Sequence, residues 1–374
     1  MVGLKERIAL LLAIKEEGKR VPFEHIFEKV SRDVEFLEGR KPGEGEVRAV
    51  LDEMVKSGLV GFDGGYYARE GIDEMVEGII GLRGKELNLS YSLVWIAKKY
   101  YSALSKHMLP FLKGRAITGI KVFSGKKDPI SGLNEIYVRY RKYKPKPVYL
   151  TVNDEGELMD LVFDHCIDFI PYVHRLGSRW PDYFVLDLDM GSELKKRPGS
   201  FELVKVVAKE AYDMLAELGL YPMLKFSGSR GFQVWAILEE LEAEDGFGLM
   251  REVAVRFRAL LEKRLKSLEL KEKFPELVKG GEITTSTVAH KEARAWKILV
   301  DWSSMKPMGD VRAPFSIHHK TALVSLPLST DMLEGFRPED ADPLKVLDNA
   351  SDYVKHARFV KSDPRKLLSF VGLL

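Results

Sequence analysis

The feature that most limits what this chain can fold into is an apolar segment that carries two aspartates near its end. The segment runs from Tyr183 to Leu188, between Pro181 and Gly191, and its β-branched and aromatic residues are typical of a buried β-strand. Side chains alternate along a strand, so Asp187 and Asp189 are expected on the same face. Carboxylates this close repel each other, and a divalent cation such as Mg²⁺ or Mn²⁺ would relieve the repulsion. Two solvent-exposed acids at the end of a strand are the alternative.

The composition limits the class of protein. With 374 residues, of which 45% are hydrophobic and 30% charged, the chain can form a large core and is long enough for two domains. Its longest apolar runs, such as Ile8 to Ile14, are far shorter than the roughly 18 residues of a membrane span, and we expect a cytoplasmic protein. The single cysteine, Cys166, excludes an intrachain disulfide framework and a cysteine-based zinc module. One Gln and four Asn among many Lys, Arg and Glu are typical of hyperthermophilic proteins.

Residues 1–85 have the pattern of a separate domain. Helical periodicity predicts helices from Leu4 to Glu17, from Phe23 to about Val34 and from Gly45 to Ser57, and residues 58–68 predict a hairpin around Asp-Gly-Gly. Three helices and a β-wing resemble a winged helix, which often places its third helix in the DNA major groove. The 14 basic and 17 acidic side chains give this region a net charge of −3, whereas a DNA-reading surface is basic. We therefore favour packing or protein interaction, and DNA binding stays open.

Residues 86–374, which we expect to form the second domain, contain a short basic run. It consists of Arg139, Arg141, Lys142, Lys144 and Lys146, interleaved with two tyrosines. Lysines on a solvent-exposed edge strand would explain the run, because they discourage edge pairing. Binding of nucleic-acid phosphates, with the tyrosines available for stacking on bases, explains it equally well.

A glycine-containing turn between two predicted strands follows the acidic segment. Residues 221–235 predict strand, turn and strand, with Gly228 and Gly231 allowing the backbone to approach a ligand closely. Ser227, Ser229 and Arg230 supply donors suited to phosphate oxygens. A plain hairpin without a ligand is the alternative.

A third block contains another apolar strand with a carboxylate. Residues 296–302 predict a strand that includes Asp301, a candidate third metal ligand. Arg312, His318 and Lys320 follow it in the sequence and are further candidates for contact with an anion.

The three blocks, in this order, resemble the catalytic core of the archaeo-eukaryotic primase superfamily. Its pattern is an Asp-x-Asp strand, a Ser-Gly-x-Arg/Lys-Gly-x-His turn, and a strand-borne Asp followed by Ala/Leu-Pro-Phe/Tyr-Ser. The residues that match this pattern are Asp187 and Asp189, then Ser227, Gly228, Arg230 and Gly231, and finally Asp301, Pro314, Phe315 and Ser316. The resemblance covers about residues 95–374. It is strongest to the polymerase module of bacterial end-joining DNA-repair ligases, the LigD type, while residues 315–321 look like the replicative primase small subunit.

The resemblance implies an α+β fold, with a mixed or antiparallel sheet flanked by helices over residues 86–374. It implies a template-directed nucleotidyltransferase that extends a nucleic-acid 3′-hydroxyl with NTPs or dNTPs by a two-metal mechanism. Asp187, Asp189 and Asp301 would hold two Mg²⁺ or Mn²⁺ ions, and no zinc is expected. The residues that would hold the triphosphate are Ser227, Ser229, Arg230, Gln233, Arg312, His318 and Lys320. Template or primer DNA would lie on the basic run, and residues 1–85 would recruit a ligase or a replication or repair factor.

Two positions depart from the family pattern. Gln233 stands where the family has the histidine that faces the nucleotide's phosphates, and Ile170 stands where repair polymerases have a histidine before the acidic strand. Glutamine donates hydrogen bonds but never carries charge. A catalytically weak nucleic-acid-binding scaffold is therefore one alternative to strand extension, and de novo priming is another. The intact Asp187, Asp189 and Asp301 argue against the scaffold.

Overall fold

The computed structural model describes residues 3–13, 15, 18–76, 89–124, 135–139, 149–278, 281–287 and 289–374. The chain divides into two compact units. The first comprises Met1–Ser102, Ile120–Arg139 and Met159–Ile167, and the second comprises Ala103–Gly119, Tyr140–Leu158 and Asp168–Leu374. The predicted domain boundary near residue 85 lies outside the described residues. None of the helices in the described ranges is both long enough and apolar enough to cross a membrane.

The N-terminal region contains three helices and a three-stranded sheet. Their bounds are α1 (Leu4–Ala13), α2 (Phe23–Glu38), α3 (Glu44–Lys56), β1 (Val21–Pro22), β2 (Val60–Asp63) and β3 (Tyr66–Arg69). The strands are antiparallel in the order β1-β3-β2, and the chain turns between β2 and β3 at Gly64 and Gly65. The three helices and the hairpin occur in the predicted order, but α1 ends at Ala13 instead of Glu17 and α2 continues to Glu38 instead of about Val34.

A second group of elements precedes the acidic strand. Their bounds are α4 (Leu89–Leu112), β4 (Ile117–Ser124), β5 (Glu135–Arg139), α5 (Glu155–Phe163) and β6 (Cys166–Pro171). The three strands form a sheet in the order β5-β4-β6. Strand β6 is buried along its whole length and is apolar apart from Asp168.

The largest sheet has seven strands and carries the acidic segment near its centre. Its strands are β7 (Tyr183–Met190), β8 (Met223–Phe226), β9 (Phe232–Leu238), β10 (Thr284–Ser286), β11 (Ile298–Asp301), β12 (Pro327–Leu328) and β13 (Lys361–Ser362). Their order is β10-β11-β7-β9-β8-β12, with β13 beside β9. The β10–β11 and β9–β13 pairs are parallel and the others are antiparallel. The sheet is therefore mixed, as expected.

Helices follow and separate these strands. They are α6 (Ser200–Glu217), α7 (Gly246–Lys266), α8 (Leu270–Lys273), α9 (Lys291–Ala295), α10 (Pro343–Asp348), α11 (Ala350–Val354) and α12 (Pro364–Phe370). Short 3₁₀ turns occupy Leu194–Lys196 and Pro338–Ala341.

The two faces of the large sheet differ because side chains alternate along its strands. Phe184 and Leu188 are completely buried on one face, where Phe184 meets Phe257 of α7 with ring centroids 6.1 Å apart. Asp187 and Asp189 project from the opposite face and are partly exposed. Each large apolar side chain buried under the helices contributes about 1.5–3 kcal/mol. The alternation thus keeps Asp187 and Asp189 off the face that α7 covers.

A buried ion pair holds the start of β7. Arg115 is completely buried, and its guanidinium donates to both carboxylate oxygens of Asp182 at 2.6 Å. The same guanidinium lies 3.6 Å from the centroid of the Tyr183 ring and donates to the Tyr172 carbonyl oxygen. The desolvation of the two charges is compensated only while both partners are present.

Asp182→Ala should destabilise the protein by about 3–5 kcal/mol, because it leaves the Arg115 guanidinium buried without its counter-charge. Unfolding in guanidinium chloride measures the change. Glu252→Ala is the control, since it removes an exposed ion pair with Arg256 on α7 and should cost less than about 1 kcal/mol. Equal losses in the two variants would contradict the role assigned to the buried pair.

Candidate active site

Four polar side chains form a row across the face of the large sheet opposite α7. Asp301 of β11 is opposite Asp187 of β7, Asp187 is opposite Gln233 of β9, and Gln233 is opposite Lys225 of β8. These strand pairs are antiparallel, so directly opposed residues project from the same face, about 5 Å apart. Asp189 lies beside the row, two residues along β7. The three aspartates predicted from the sequence are thus brought to one face of two neighbouring strands.

Asp187 lies in an environment that disfavours its charge. Burial, followed by repulsion from Asp189 and Asp301, raises the pKa of Asp187 from its ordinary value of 3.8 to about 6. The Gln233 amide acts in the opposite direction, as does Lys225 when it is protonated. At neutral pH the Asp187 carboxylate would therefore be stabilised by a nearby cation, as a metal ligand would be.

Asp189 and Asp301 have hydrogen-bond partners of their own. Asp189 Oδ2 accepts from the Arg230 guanidinium at 3.2 Å. Asp301 Oδ1 accepts from the backbone N–H of Ser303 at 2.7 Å and from the Thr287 hydroxyl at 3.2 Å. Over the described ranges, no three His, Cys, Asp or Glu side chains are grouped closely enough to hold a metal ion. Carboxylate oxygens are nevertheless the donors that Mg²⁺ and Mn²⁺ prefer, so the three aspartates suit such an ion by donor type.

Gln233 contacts the row itself. It is only 5% exposed, and its Oε1 accepts from the indole Nε1 of Trp235 at 3.2 Å. Because an indole N–H can only donate, this bond leaves the amide NH₂ group as the donor available to Asp187, which is opposite Gln233 in the sheet. The family pattern led us to expect contact with a triphosphate here, whereas the described contacts of Gln233 are with an aspartate and a tryptophan. Sequence reasoning missed Trp235, because its role is to hold the side-chain amide of Gln233 in place, and this contact is visible only in the structure.

The turn between β8 and β9 has the predicted strand–turn–strand form and gathers backbone N–H groups around Ser227. Ser227 Oγ accepts from the backbone N–H groups of Ser229 and Gly231 at 3.4 and 3.3 Å. Gly228 has a φ of +85°, which glycine adopts without steric cost. A side chain on Gly231 would collide with the carbonyl oxygen of Leu188. Glycine at this position is therefore what allows the turn to lie directly against β7.

The cations expected to meet a triphosphate differ in their exposure. Arg230 and Lys320 are exposed. The Arg312 guanidinium instead donates to both carboxylate oxygens of Asp168, at 2.8 and 3.0 Å, and to the Ser227 carbonyl oxygen at 3.3 Å. In this arrangement Arg312 ties the turn to β6 and is already engaged by a carboxylate.

Asp168 is a site residue that sequence reasoning did not assign. It is completely buried and accepts from the Ser316 hydroxyl at 3.1 Å, and its carboxylate lies 2.8 Å from His319 Nδ1. Burial would raise the pKa of Asp168, but Arg312 and His319 hold it well below its ordinary value. The sequence did contain a signal for this role, because Asp168 is the one charged residue in an apolar strand. A carboxylate in such a strand can be buried only if a cation pairs with it.

His318 is a neutral side chain at pH 7. Burial, followed by the charge of Arg312, lowers the pKa of His318 to about 3. Its Nδ1 accepts from the backbone N–H of Lys320 at 3.1 Å, which leaves the proton on Nε2. In the ligand-free protein His318 can therefore donate a neutral hydrogen bond from Nε2.

The basic run lies almost entirely outside the described residues. Arg139 ends β5, and its side chain is not described. Arg141, Lys142, Lys144 and Lys146 fall within residues 140–148, which are not described. Contact of this run with nucleic acid stays a prediction.

Asp187→Asn should stabilise the metal-free protein at pH 8 but not at pH 4. The folded-state pKa of about 6 exceeds the ordinary value of 3.8, so this group makes the wild type lose stability as the pH rises from about 4 to about 6. Asparagine carries no charge, so the variant does not lose this stability as the pH rises. Denaturant unfolding in EDTA at pH 4, 6 and 8 measures the free energy of unfolding of the wild type and the variant, with the exposed Asp348→Asn as control. A stability difference that does not vary with pH would contradict the raised pKa.

Gly231→Ala should destabilise the protein by about 1–3 kcal/mol, because the new Cβ would collide with the Leu188 carbonyl oxygen. Gly335→Ala is the matched control, since a Cβ there would meet no atom within 4 Å, and it should change stability by less than about 0.5 kcal/mol. Thermal unfolding of the two variants gives the comparison. If they unfold at the same temperature, the turn does not need its close approach to β7.

Comparison with known proteins relates this site to a described family. A family model described as LigD, primase-polymerase domain, matches residues 97–355, which include the three aspartates, the turn and Asp168. Among solved structures, the chain is similar to the polymerase domain from Mycobacterium tuberculosis ligase D in complex with DNA. The sequence identity is 19%, the similarity covers 70% of this chain and 89% of that chain, and the TM-score is 0.48. No curated protein matches the chain significantly.

Proposed function

The chain belongs to the LigD primase-polymerase domain family, and we propose that it is a template-directed nucleotidyltransferase that extends a nucleic-acid 3′-hydroxyl with NTPs or dNTPs. The observation that carries the proposal is the trio of aspartates on one face of β7 and β11, where Asp189 and Asp301 oppose the charge of Asp187. Carboxylates that repel one another are costly to keep together unless a cation binds among them. The trio lies within the residues that the family model matches.

In this proposal Asp187, Asp189 and Asp301 hold two Mg²⁺ or Mn²⁺ ions. Such ions, when bound, activate an attacking hydroxyl group and neutralise the charge of a leaving pyrophosphate. The chain's own residues contribute orientation. The Gln233 amide is the donor opposite the Asp187 carboxylate, and the backbone N–H of Ser303 fixes that of Asp301.

The triphosphate of the incoming nucleotide is proposed to bind at the Ser227–Gly231 turn. The Arg230 side chain is 52% exposed there and is paired with Asp189, a partner that it would exchange for a phosphate. Lys320 is a second exposed cation, and His318 offers a neutral donor. Arg312 was expected to bind the triphosphate directly. We assign it instead to positioning the turn, because it donates to Asp168 and to the Ser227 carbonyl oxygen.

DNA is the proposed template and primer, and the basic run is its proposed contact. Five cations with two interleaved tyrosines, within residues 139–146, suit a strand whose phosphates need neutralising and whose bases can stack. Salt dependence of binding would report this contact, since each phosphate contact contributes roughly one to the slope of log K against log salt.

Residues 1–85 are proposed to be a winged-helix-like domain that contacts a protein, such as a ligase or a replication or repair factor. The order of three helices and a three-stranded sheet supports the winged-helix-like fold. The proposal that this domain contacts a protein rests on the charges of α3. Ion pairs join Glu44 to Arg48, Glu46 to Arg40 and Glu53 to Lys5. Of the cations on the third helix, Arg48 already faces an acid, and a helix with four acidic residues is poorly suited to DNA phosphates. DNA binding is the alternative.

A primer-extension assay tests the proposed activity. The protein is incubated with Mn²⁺, labelled NTPs or dNTPs and a primed, gapped DNA duplex, and the wild type should incorporate nucleotides. Asp187→Asn and Asp301→Asn should reduce incorporation to background, because each removes a carboxylate oxygen charge from the proposed metal site. Asp348→Asn, on an exposed helix end, should retain the wild-type rate. Wild-type incorporation by Asp187→Asn would exclude the proposed mechanism.

A bare single-stranded template separates the other two hypotheses. Products formed without a primer would identify de novo priming, which the similarity of residues 315–321 to primase small subunits suggests. Binding of either DNA without any incorporation would identify a scaffold. Incorporation on the primed duplex alone would support strand extension.

A further inference from the structure

Lys225 is a buried cation that the proposed mechanism does not use. Its exposed fraction is 0%, and it is the fourth member of the row that contains Asp301, Asp187 and Gln233. Within the described part of the chain, no carboxylate lies within 4.0 Å of its Nζ. Lysine is almost never fully buried unless it is paired. Its burial without a carboxylate in contact is therefore unusual, and a counter-charge for its protonated form would have to come from a ligand.

Strand register places the end of this side chain beneath the turn. Lys225 is opposite Pro327 of β12, so two residues further along the same face Ser227 stands opposite Ser325. The Lys225 Nζ donates to Ser325 Oγ at 2.6 Å, which shows that the side chain extends along β8 toward Ser227. A Cβ on Gly228 would lie 3.3 Å from the backbone nitrogen of Ser325. The amino group thus lies close under the Ser227–Gly231 turn.

The surroundings of Nζ suit a neutral amine better than an ammonium group. An ammonium has three N–H donors to satisfy. Ser325 Oγ accepts one of them, and Nζ also lies 4.9 Å from the centroid of the Trp235 ring, which contains no oxygen or nitrogen acceptor. Buried N–H donors without acceptors cost about 1–3 kcal/mol each, and more when the group is charged.

The charged groups that act on Lys225 come from three parts of the fold. Burial lowers the pKa of Lys225 well below its ordinary value, and the positive Arg312 lowers it further. Asp187 of β7 and Asp168 of β6 oppose these effects. Asp168 is itself already paired with Arg312. A polyphosphate on the turn would add several negative charges on the other side of the backbone and would favour the protonated form of Lys225.

We propose that Lys225 is a positioning residue that takes up a proton from solvent when a polyphosphate binds to the Ser227–Gly231 turn. The ammonium so formed is the buried counter-charge of the bound anion. One N–H bond forms on Nζ, no covalent bond to the ligand forms, and nothing is oxidised or reduced. The inference rests on the proposed function, because it takes a nucleoside triphosphate as the ligand. Because Lys225 is buried, salt screens its attraction for the ligand less than that of an exposed cation.

Calorimetric titration tests the inference directly. ATP or dATP with Mg²⁺ is titrated into the full-length protein at pH 7.5, 8.5 and 9.5, in buffers of different ionisation enthalpy and without DNA. Asp187, with a pKa of about 6, is ionised throughout this range and takes up no proton. We expect the wild type to take up as much as one proton per nucleotide. Its Kd should then rise by at most about tenfold per pH unit, the limit for a single linked proton.

Three variants identify the group that takes up the proton. Lys225→Met should bind the nucleotide more weakly and without proton uptake at any pH. Lys225→Arg, whose guanidinium stays protonated, should also bind without uptake but more tightly than Lys225→Met. Lys320→Met, at an exposed position, is the matched control and should weaken binding while keeping the wild-type uptake.

The possible failures are distinct. Equal proton uptake by the wild type and Lys225→Met, or no uptake by a wild type that binds the nucleotide, would overturn the inference and leave the proposed function standing. Absence of any ATP or dATP binding by the wild type would overturn the proposed function, and the inference with it.

Discussion

Repulsion among carboxylates on one face of a sheet is the constraint on which the rest of this structure depends. Asp187, Asp189 and Asp301 lie on neighbouring strands, where Asp187 is disfavoured as an anion by burial and by the other two. The fold can hold them there because the opposite face is covered by α6 and α7 and buries aromatic side chains such as Phe184 and Phe232. The alternation of side chains along β7 thus keeps Asp187 and Asp189 away from these helices.

Buried polar bonds hold the turn above these carboxylates. Asp168 of β6 binds Arg312, which in turn reaches the Ser227 carbonyl oxygen. The same aspartate accepts from Ser316, whose neighbour Phe315 has a φ of +66°. A bulky residue in the left-handed region is strained by about 1–3 kcal/mol and persists only when its surroundings enforce it. The chain therefore maintains a costly backbone conformation next to the groups that position the turn.

Local sequence pattern was sufficient for β7, β8, β9 and β11, for the turn between β8 and β9 and for the N-terminal hairpin, because alternation and glycine placement are properties of neighbouring residues. It could not show that Gln233 would face Asp187, since that contact exists only once β7 and β9 are adjacent in the sheet. Lys225 and Arg312 illustrate the same limit. Lys225 bonds a serine 100 residues away and Arg312 an aspartate 144 residues away. The sequence could not show that Arg312 would pair with Asp168, because these two residues become neighbours only when the chain folds.

The alternation along β7 also bears on how the sheet assembles. A slip of one residue between β7 and β9 would turn Asp187 and Asp189 toward α7 and bring Phe184 and Leu188 to the face that carries the site. Such a slip would bury the two carboxylates against apolar side chains without a partner, which costs several kcal/mol. The carboxylates that form the candidate site therefore also discriminate against the nearest wrong strand pairing. Acidic residues that serve the candidate site thus also favour the correct register of the sheet that carries them.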